Sequence, residues 1–213
     1  GFRKTYENVA AGTWSDDGAQ ALCLFQSLLD QNGFCLEDFS DRVLSWYEDG
    51  VWAVGGEVFD VGIQTAYALR GYKNGLLPEE CGMLNPDGKG NGALMRVLPL
   101  VLWHSVHGSP DKEKRTKGLV EDAHRQCLIT HGHVCNQVCC ALYCLAAQKL
   151  LEGLEAHEAI EAGLGALRRS YQDLPEYEQE LEWSIRPDQT WEGTGTGYVV
   201  DCLRSAFMIF LQA

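Results

Sequence analysis

Two adjacent carboxylates, Asp16 and Asp17, follow the hydroxyl of Ser15 just where an apolar helical pattern of Ala21, Leu22, Leu24, Phe25, Leu28 and Leu29 begins. One acid at a helix start complements the unpaired amides and the positive end of the helix dipole. Two in a row, with no Lys or Arg inside Trp14-Ser15-Asp16-Asp17, crowd several oxygen donors into one small volume. Hard oxygen donors of that kind suit Mg²⁺, Mn²⁺ or Ca²⁺. The same residues also describe a capped helix carrying solvated acids, and locally both readings stand.

A second constellation is the glycine-rich stretch Gly88-Lys89-Gly90-Asn91-Gly92, which runs into the apolar pattern Ala93-Leu94-Met95-Arg96. Such loops let backbone amides approach a phosphate, and a helix N-terminus behind them adds a favourable field. Asn91-Gly92 reads equally as a turn at positive φ. Gly88, Gly90 and Ala93 have dinucleotide-fingerprint spacing, but no buried strand precedes them, which argues against a Rossmann fold. Arg96 either contacts a phosphate or pairs with a carboxylate as a structural bridge. Thr130-His131-Gly132 lies at the junction of two helical patterns, and Gly193-Thr194-Gly195-Thr196-Gly197 precedes the last one. A histidine so placed is either a packed, hydrogen-bonded residue or a catalyst.

The elements that must carry these loops are helices. Leu36, Phe39, Val43, Leu44 and Tyr47 recur at helical spacing with Glu37, Asp38, Asp41 and Arg42 opposite. Similar patterns cover residues 61–69, 93–107, 120–129, 134–151, 156–167 and 198–211, while strand-like alternation is nearly absent. Gly and Pro fall mostly between these runs. The polar, acidic residues 174–189 read as a solvated connection. These patterns predict an all-α orthogonal bundle, residues 1–213 forming one domain with functional loops at one end.

Composition narrows the function. A net charge of −13 argues against nonspecific nucleic-acid binding and against an anionic membrane surface. A polyanionic ligand therefore needs a local counter-charge, a metal or a placed Arg. The expectation is of no apolar run as long as a membrane span. Nine cysteines, an odd number with Cys139 and Cys140 adjacent, fit reduced thiols in a cytoplasmic protein better than a disulfide framework. Cys135, Cys139, Cys140 and Cys144 after His131 and His133 raise zinc, but the spacing is not that of a finger, and core packing is favoured.

Five ordered segments together resemble the ADP-ribosylglycohydrolase family: Gly12-Thr13-Trp14-Ser15-Asp16-Asp17; Phe59-Asp60-Val61-Gly62-Ile63-Gln64-Thr65; residues 90–99 from Gly90-Asn91-Gly92 to Pro99; Thr130-His131; and Gly195-Thr196-Gly197. The resemblance implies an all-α fold with two Mg²⁺ ions in a cleft, hydrolysing the glycosidic bond between ADP-ribose and a protein side chain or small acceptor. In that picture Ser15, Asp16 and Asp17 are metal ligands, with Asp16 and Asp17 the catalytic candidates. Gly90, Asn91, Gly92 and Arg96 hold ribose and diphosphate, His131 lines the cleft, and Gly195, Thr196 and Gly197 border the adenosine. Metals that orient ribose hydroxyls and a water lower the barrier at an anomeric carbon developing oxocarbenium character. The family's usual glycine- and alanine-rich first helix and its closing Asp-x-Asp-Thr motif do not occur in the sequence. The resemblance thus implies a chain incomplete at both ends, with partial metal coordination and apolar surface available for self-association. A non-catalytic member that binds nucleotide or serves structurally is the alternative.

Overall fold

A computed structural model describes residues 9–212, and among them every extended regular element is a helix. Helix α1 (Asp16–Gln31) turns at Asn32, whose positive φ of 53° reverses the chain into α2 (Leu36–Asp49). Leu24 and Leu28 of α1 meet Phe39, Val43 and Trp46 of α2 in the core. Helix α3 (Ile63–Lys73) and the short α4 (Pro78–Cys81) lead to the glycine loop, and α5 (Leu98–His107) packs on α1.

The centre of the molecule is α7 (Val134–Leu151), held between α6 (Lys112–Leu128) and α8 (Ala156–Tyr171), with α5 and α10 (Val199–Phe210) also against it. Its cysteines Cys135, Cys139, Cys140 and Cys144 are fully buried, and burial pushes the last three thiols well above their ordinary range. They pack as small apolar groups, as the sequence favoured. Close approach of α8 needs Gly163, where a Cβ would stand 2.9 Å from the backbone nitrogen of Ala146.

Four expectations are corrected. Helix α6 starts at Lys112 rather than near residue 120, because Asp111 caps it, accepting from the amides of Glu113 (2.9 Å) and Lys114 (3.2 Å). Helix α5 starts at Leu98, not residue 93, and residues 91–96 are bend and turn. Residues 174–189 are not merely a solvated connection: they form α9 (Pro175–Gln179) and a π-helical turn (Glu180–Ile185) that buries Leu181 and Ile185. The Tyr177 hydroxyl donates to Gln137 Oε1 at 2.8 Å, and Arg168 forks onto Glu182 at 2.7 and 2.8 Å. Finally, α7 is by length and composition apolar enough to span a membrane, although 67% of it is buried inside this fold.

Candidate active site

Two glycine loops from opposite halves of the chain meet. The carbonyl of Lys89 accepts from the Val199 amide, and the Asn91 amide donates to the Gly197 carbonyl, both at 2.9 Å. This antiparallel bridge joins Gly90 to Tyr198. Gln64, in the first turn of α3, clasps the same loop, its Oε1 accepting from the Gly90 amide and its Nε2 donating to the Asp87 carbonyl, both at 3.0 Å. Asn136 at the start of α7 donates to the Gly88 carbonyl at 2.8 Å. Side chains crowd the glycines: a Cβ on Gly90 would stand 2.2 Å from Gln64 Oε1, and one on Gly92 2.5 Å from His131 Cε1.

Beside this bridge opens a cleft of about 610 Å³ whose wall includes Asp16, Gln64, Lys89, Gly90, His131 and Tyr198. Gly92 and Gly197 also face it, so five residues expected from the sequence, Asp16, Gly90, Gly92, His131 and Gly197, converge. Ser15 and Asp17 flank Asp16 in the chain without lining the wall. A larger groove of about 830 Å³ between α6, α7 and α8 holds none of the residues singled out above.

Other candidates lie elsewhere. Asn91 directs its side-chain nitrogen to Cys202 Sγ at 3.5 Å rather than into the cleft. Gly195 and Thr196 are outside the wall, in a loop gathered by Asp201. That carboxylate accepts from the amides of Thr194 (2.9 Å) and Thr196 (2.6 Å), which lower its pKa to about 2. The expected amide cradle is also largely committed. The Gly90 amide serves Gln64 and the Asn91 amide serves Gly197, and no α-helix begins until Leu98.

Arg96 is fully enclosed and is not among the residues of the cleft wall. Its Nε donates to Gln126 Oε1 (3.0 Å), Nη1 to Gln20 Oε1 (2.7 Å), and Nη2 to the Gln126 carbonyl and Thr130 Oγ1 (both 2.8 Å). The guanidinium lies 5.2 Å from the Phe39 ring centre. Among the described residues no carboxylate is its partner, which corrects the reading of a structural bridge to an acid. Its role runs through Thr130. A guanidinium can only donate, so the Thr130 oxygen accepts from Arg96 and its proton points to His131 Nδ1, 2.8 Å away. Burial and the Arg96 charge lower the His131 pKa to about 3, so the ring is neutral. With Nδ1 an acceptor, its proton sits on Nε2, the nitrogen nearest a Cβ built on Gly90. The relay thus presents an N–H donor to the glycine loop.

Asp16 is 8% exposed, and burial, then Asp17, then Asp60 push its pKa up to about 7, against a favourable hydrogen bond from Ser15. Ser15 stands at the N-cap without its hydroxyl bonding a helix amide. Crowded oxygens of one sign are a donor set that a hard divalent cation would relieve, so the residues fit such an ion in kind. They fall short in number: among the described residues no group of three or more His, Cys, Asp or Glu is arranged to hold a metal. The zinc arrangement fails on separate grounds, since His133 Nδ1 accepts from the Cys135 amide at 3.0 Å and caps α7.

Sequence reasoning missed Gln64 and Lys89 as cleft residues. Gln64 sat inside a recognised segment, beside a helix start; Lys89 was visible as the lone cation of the glycine stretch.

An all-α fold whose cleft sets a buried acid against a glycine loop and a neutral histidine defines the class to which the family model points. The model for the ADP-ribosylglycohydrolase family matches residues 1–213, and the chain belongs to that family. It is 28% identical over 202 residues to ADP-ribosylarginine hydrolase Tri1 of Pseudomonas putida (strain GB-1), covering 93% of this chain and 49% of that protein. It is 26% identical over 198 residues to ADP-ribosylarginine hydrolase Tri1 of Serratia proteamaculans (strain 568), covering 92% of this chain and 49% of that one. The chain thus spans about half the length of the curated relatives it matches.

Proposed function

We propose that this chain forms the ADP-ribose-binding part of a Mg²⁺-dependent hydrolase that releases ADP-ribose from arginine side chains of modified proteins. The observation that carries the reading is the cleft itself, where Asp16, Gly90, Gly92 and His131 line one space. The names of the two relatives support arginine as the acceptor. In this reading Ser15, Asp16 and Asp17 hold the cation. A divalent ion supplies the polarisation of water and ribose hydroxyls. The chain's own residues do the rest: Gly90 and Gly92, by lacking side chains, let Gln64 and His131 close on the loop, and His131 Nε2–H donates to a ligand oxygen. Gln64 keeps the loop in register with the acids.

Calorimetry with ADP-ribose, with and without millimolar Mg²⁺, tests the reading. Magnesium-dependent binding is expected, and the Asp16→Ala plus Asp17→Ala double variant should lose the magnesium response while keeping its helical circular dichroism. Turnover unchanged in that variant would sink the assignment of these acids. The partial donor set favours one second reading, a nucleotide-binding member without turnover, for which ADP-ribose would bind and an ADP-ribosylated arginine peptide would persist uncleaved.

Two further parts of the proposal are supported from outside the cleft. All nine cysteines are free thiols, which supports a reducing compartment such as the cytoplasm. Leu98, Leu102 and Val106 line one exposed face of α5 at 41%, 44% and 76% exposure, which supports self-association. Light scattering over a concentration series should show a rising mass that a Val106→Glu variant suppresses.

A further inference from the structure

The cleft has a charge problem if its ligand carries a diphosphate. The chain is strongly acidic, with a net charge of −13, and Asp16 and Asp87 both line the wall. His131 is neutral, Arg96 is enclosed, and the loop amides of Gly88, Gly90 and Asn91 already have partners. Among the described residues of that wall, Lys89 is the one cationic side chain.

Lys89 is not merely present. Its carbonyl is fixed by the Val199 amide, so the backbone from which the side chain projects is anchored. Its ammonium lies 3.3 Å from Glu180 Oε1 in the π-helical turn, the two side chains only 20% and 18% exposed. An ammonium has three donors, and among the described residues this long contact to Glu180 is its one hydrogen bond. Glu180 is partly buried, and Ser184, the Lys89 charge and Cys135 together hold its carboxyl below the usual range despite that burial, so it stays an anion that holds the cation close.

We propose that Lys89 binds the diphosphate of the nucleotide ligand, with Glu180 as the positioning residue that keeps its ammonium at the cleft wall. This rests on the reading of the cleft as an ADP-ribose site. Lys89 is then the placed counter-charge that an acidic protein needs, independent of any ion held by the acids. Glu180 restrains it and partly neutralises it.

The test is calorimetry at fixed millimolar Mg²⁺ with three probes, ADP-ribose, ADP and adenosine, on the purified chain and two variants. Lys89→Met should weaken ADP-ribose and ADP by about ten- to a hundredfold, the worth of a hydrogen bond to a charged group, and leave adenosine unchanged. Glu180→Gln keeps an oxygen acceptor for the ammonium and removes the opposing charge, so both diphosphates should bind a few-fold more tightly. Equal ADP affinity in wild type and Lys89→Met overturns the inference alone, as does an equal loss for adenosine, which would mark a collapsed loop. A wild-type chain that binds ADP but not ADP-ribose sinks the reading of the activity and leaves Lys89→Met on ADP to decide this inference. Binding of neither diphosphate overturns both.

Discussion

Thr130 carries one hydroxyl between a guanidinium that can only give protons and an imidazole that must be told which nitrogen to protonate. Thr130→Val keeps the shape and removes the relay. It should cost about 1–3 kcal/mol in urea unfolding, because Arg96 loses one of its acceptors at a fully buried position. Nitrogen chemical shifts of His131 should then show a mixture of tautomers where the wild type shows one. Gly92→Ala acts on the same ring from the other side, since its Cβ would lie 2.5 Å from Cε1. It should lower ADP-ribose affinity at least about tenfold, from the loss of a positioned donor, and titration calorimetry reads this directly. At this scale the sequence was half legible. Asp16 stood out by type and spacing, while Gly90, Gly92, His131 and Gly197 were given cleft roles only by the family resemblance. The enclosure of Arg96 was not, because whether a guanidinium faces a cleft or a core depends on Gln20, Gln126 and Thr130, which are remote from it in sequence.

Among the elements, those with an unbroken apolar period were readable. Helices α2, α7, α8 and α10 fall close to their patterns, since their buried faces recur every three or four residues. The first half of α6, Lys112-Glu113-Lys114-Arg115-Thr116-Lys117, has no apolar face, and burial begins only at Leu119. Its start was written instead in Asp111, a capping residue outside any periodicity. Pro99 likewise marks the first turn of α5, where a missing amide is harmless, and so argues against a helix beginning at residue 93. The acidic α9 and its π-helical turn bury few apolar groups, so charge hid them. The contact between α7 and α8 can be probed at Gly163. Gly163→Ala should lower stability by about 1–2 kcal/mol in denaturant titration, the overpacking against the Ala146 backbone exceeding the gain in helix propensity.

For the whole molecule, stability should respond to mild acid. His124 hydrogen-bonds the Tyr171 hydroxyl at 2.7 Å and stacks on Tyr177, and burial lowers its pKa from 6.5 to about 4. Above pH 6.5 the imidazole is neutral in both states and the fold keeps its full stability. As pH falls from 6.5 towards 4, the unfolded chain takes up a proton that the native one refuses. Stability then drops by about 1.4 kcal/mol per pH unit, to a total of about 3 kcal/mol. His131 works in the same direction, whereas Asp16, raised to about 7, gains its proton first in the native state and opposes both. Unfolding curves measured between pH 7 and 4 should therefore be flatter for His124→Gln than for the parent chain. The bridge between the Lys89 and Gly197 loops has a temporal meaning as well. It closes a loop of about half the chain, so its closure is entropically late in folding and the cleft is assembled only when α10 docks. Undocking of that one helix would unmake the ligand site while α6, α7 and α8 stay folded. In hydrogen exchange the Asn91 and Val199 amides should then open together, earlier than the core, reporting a site that is switched on by the last helix to arrive.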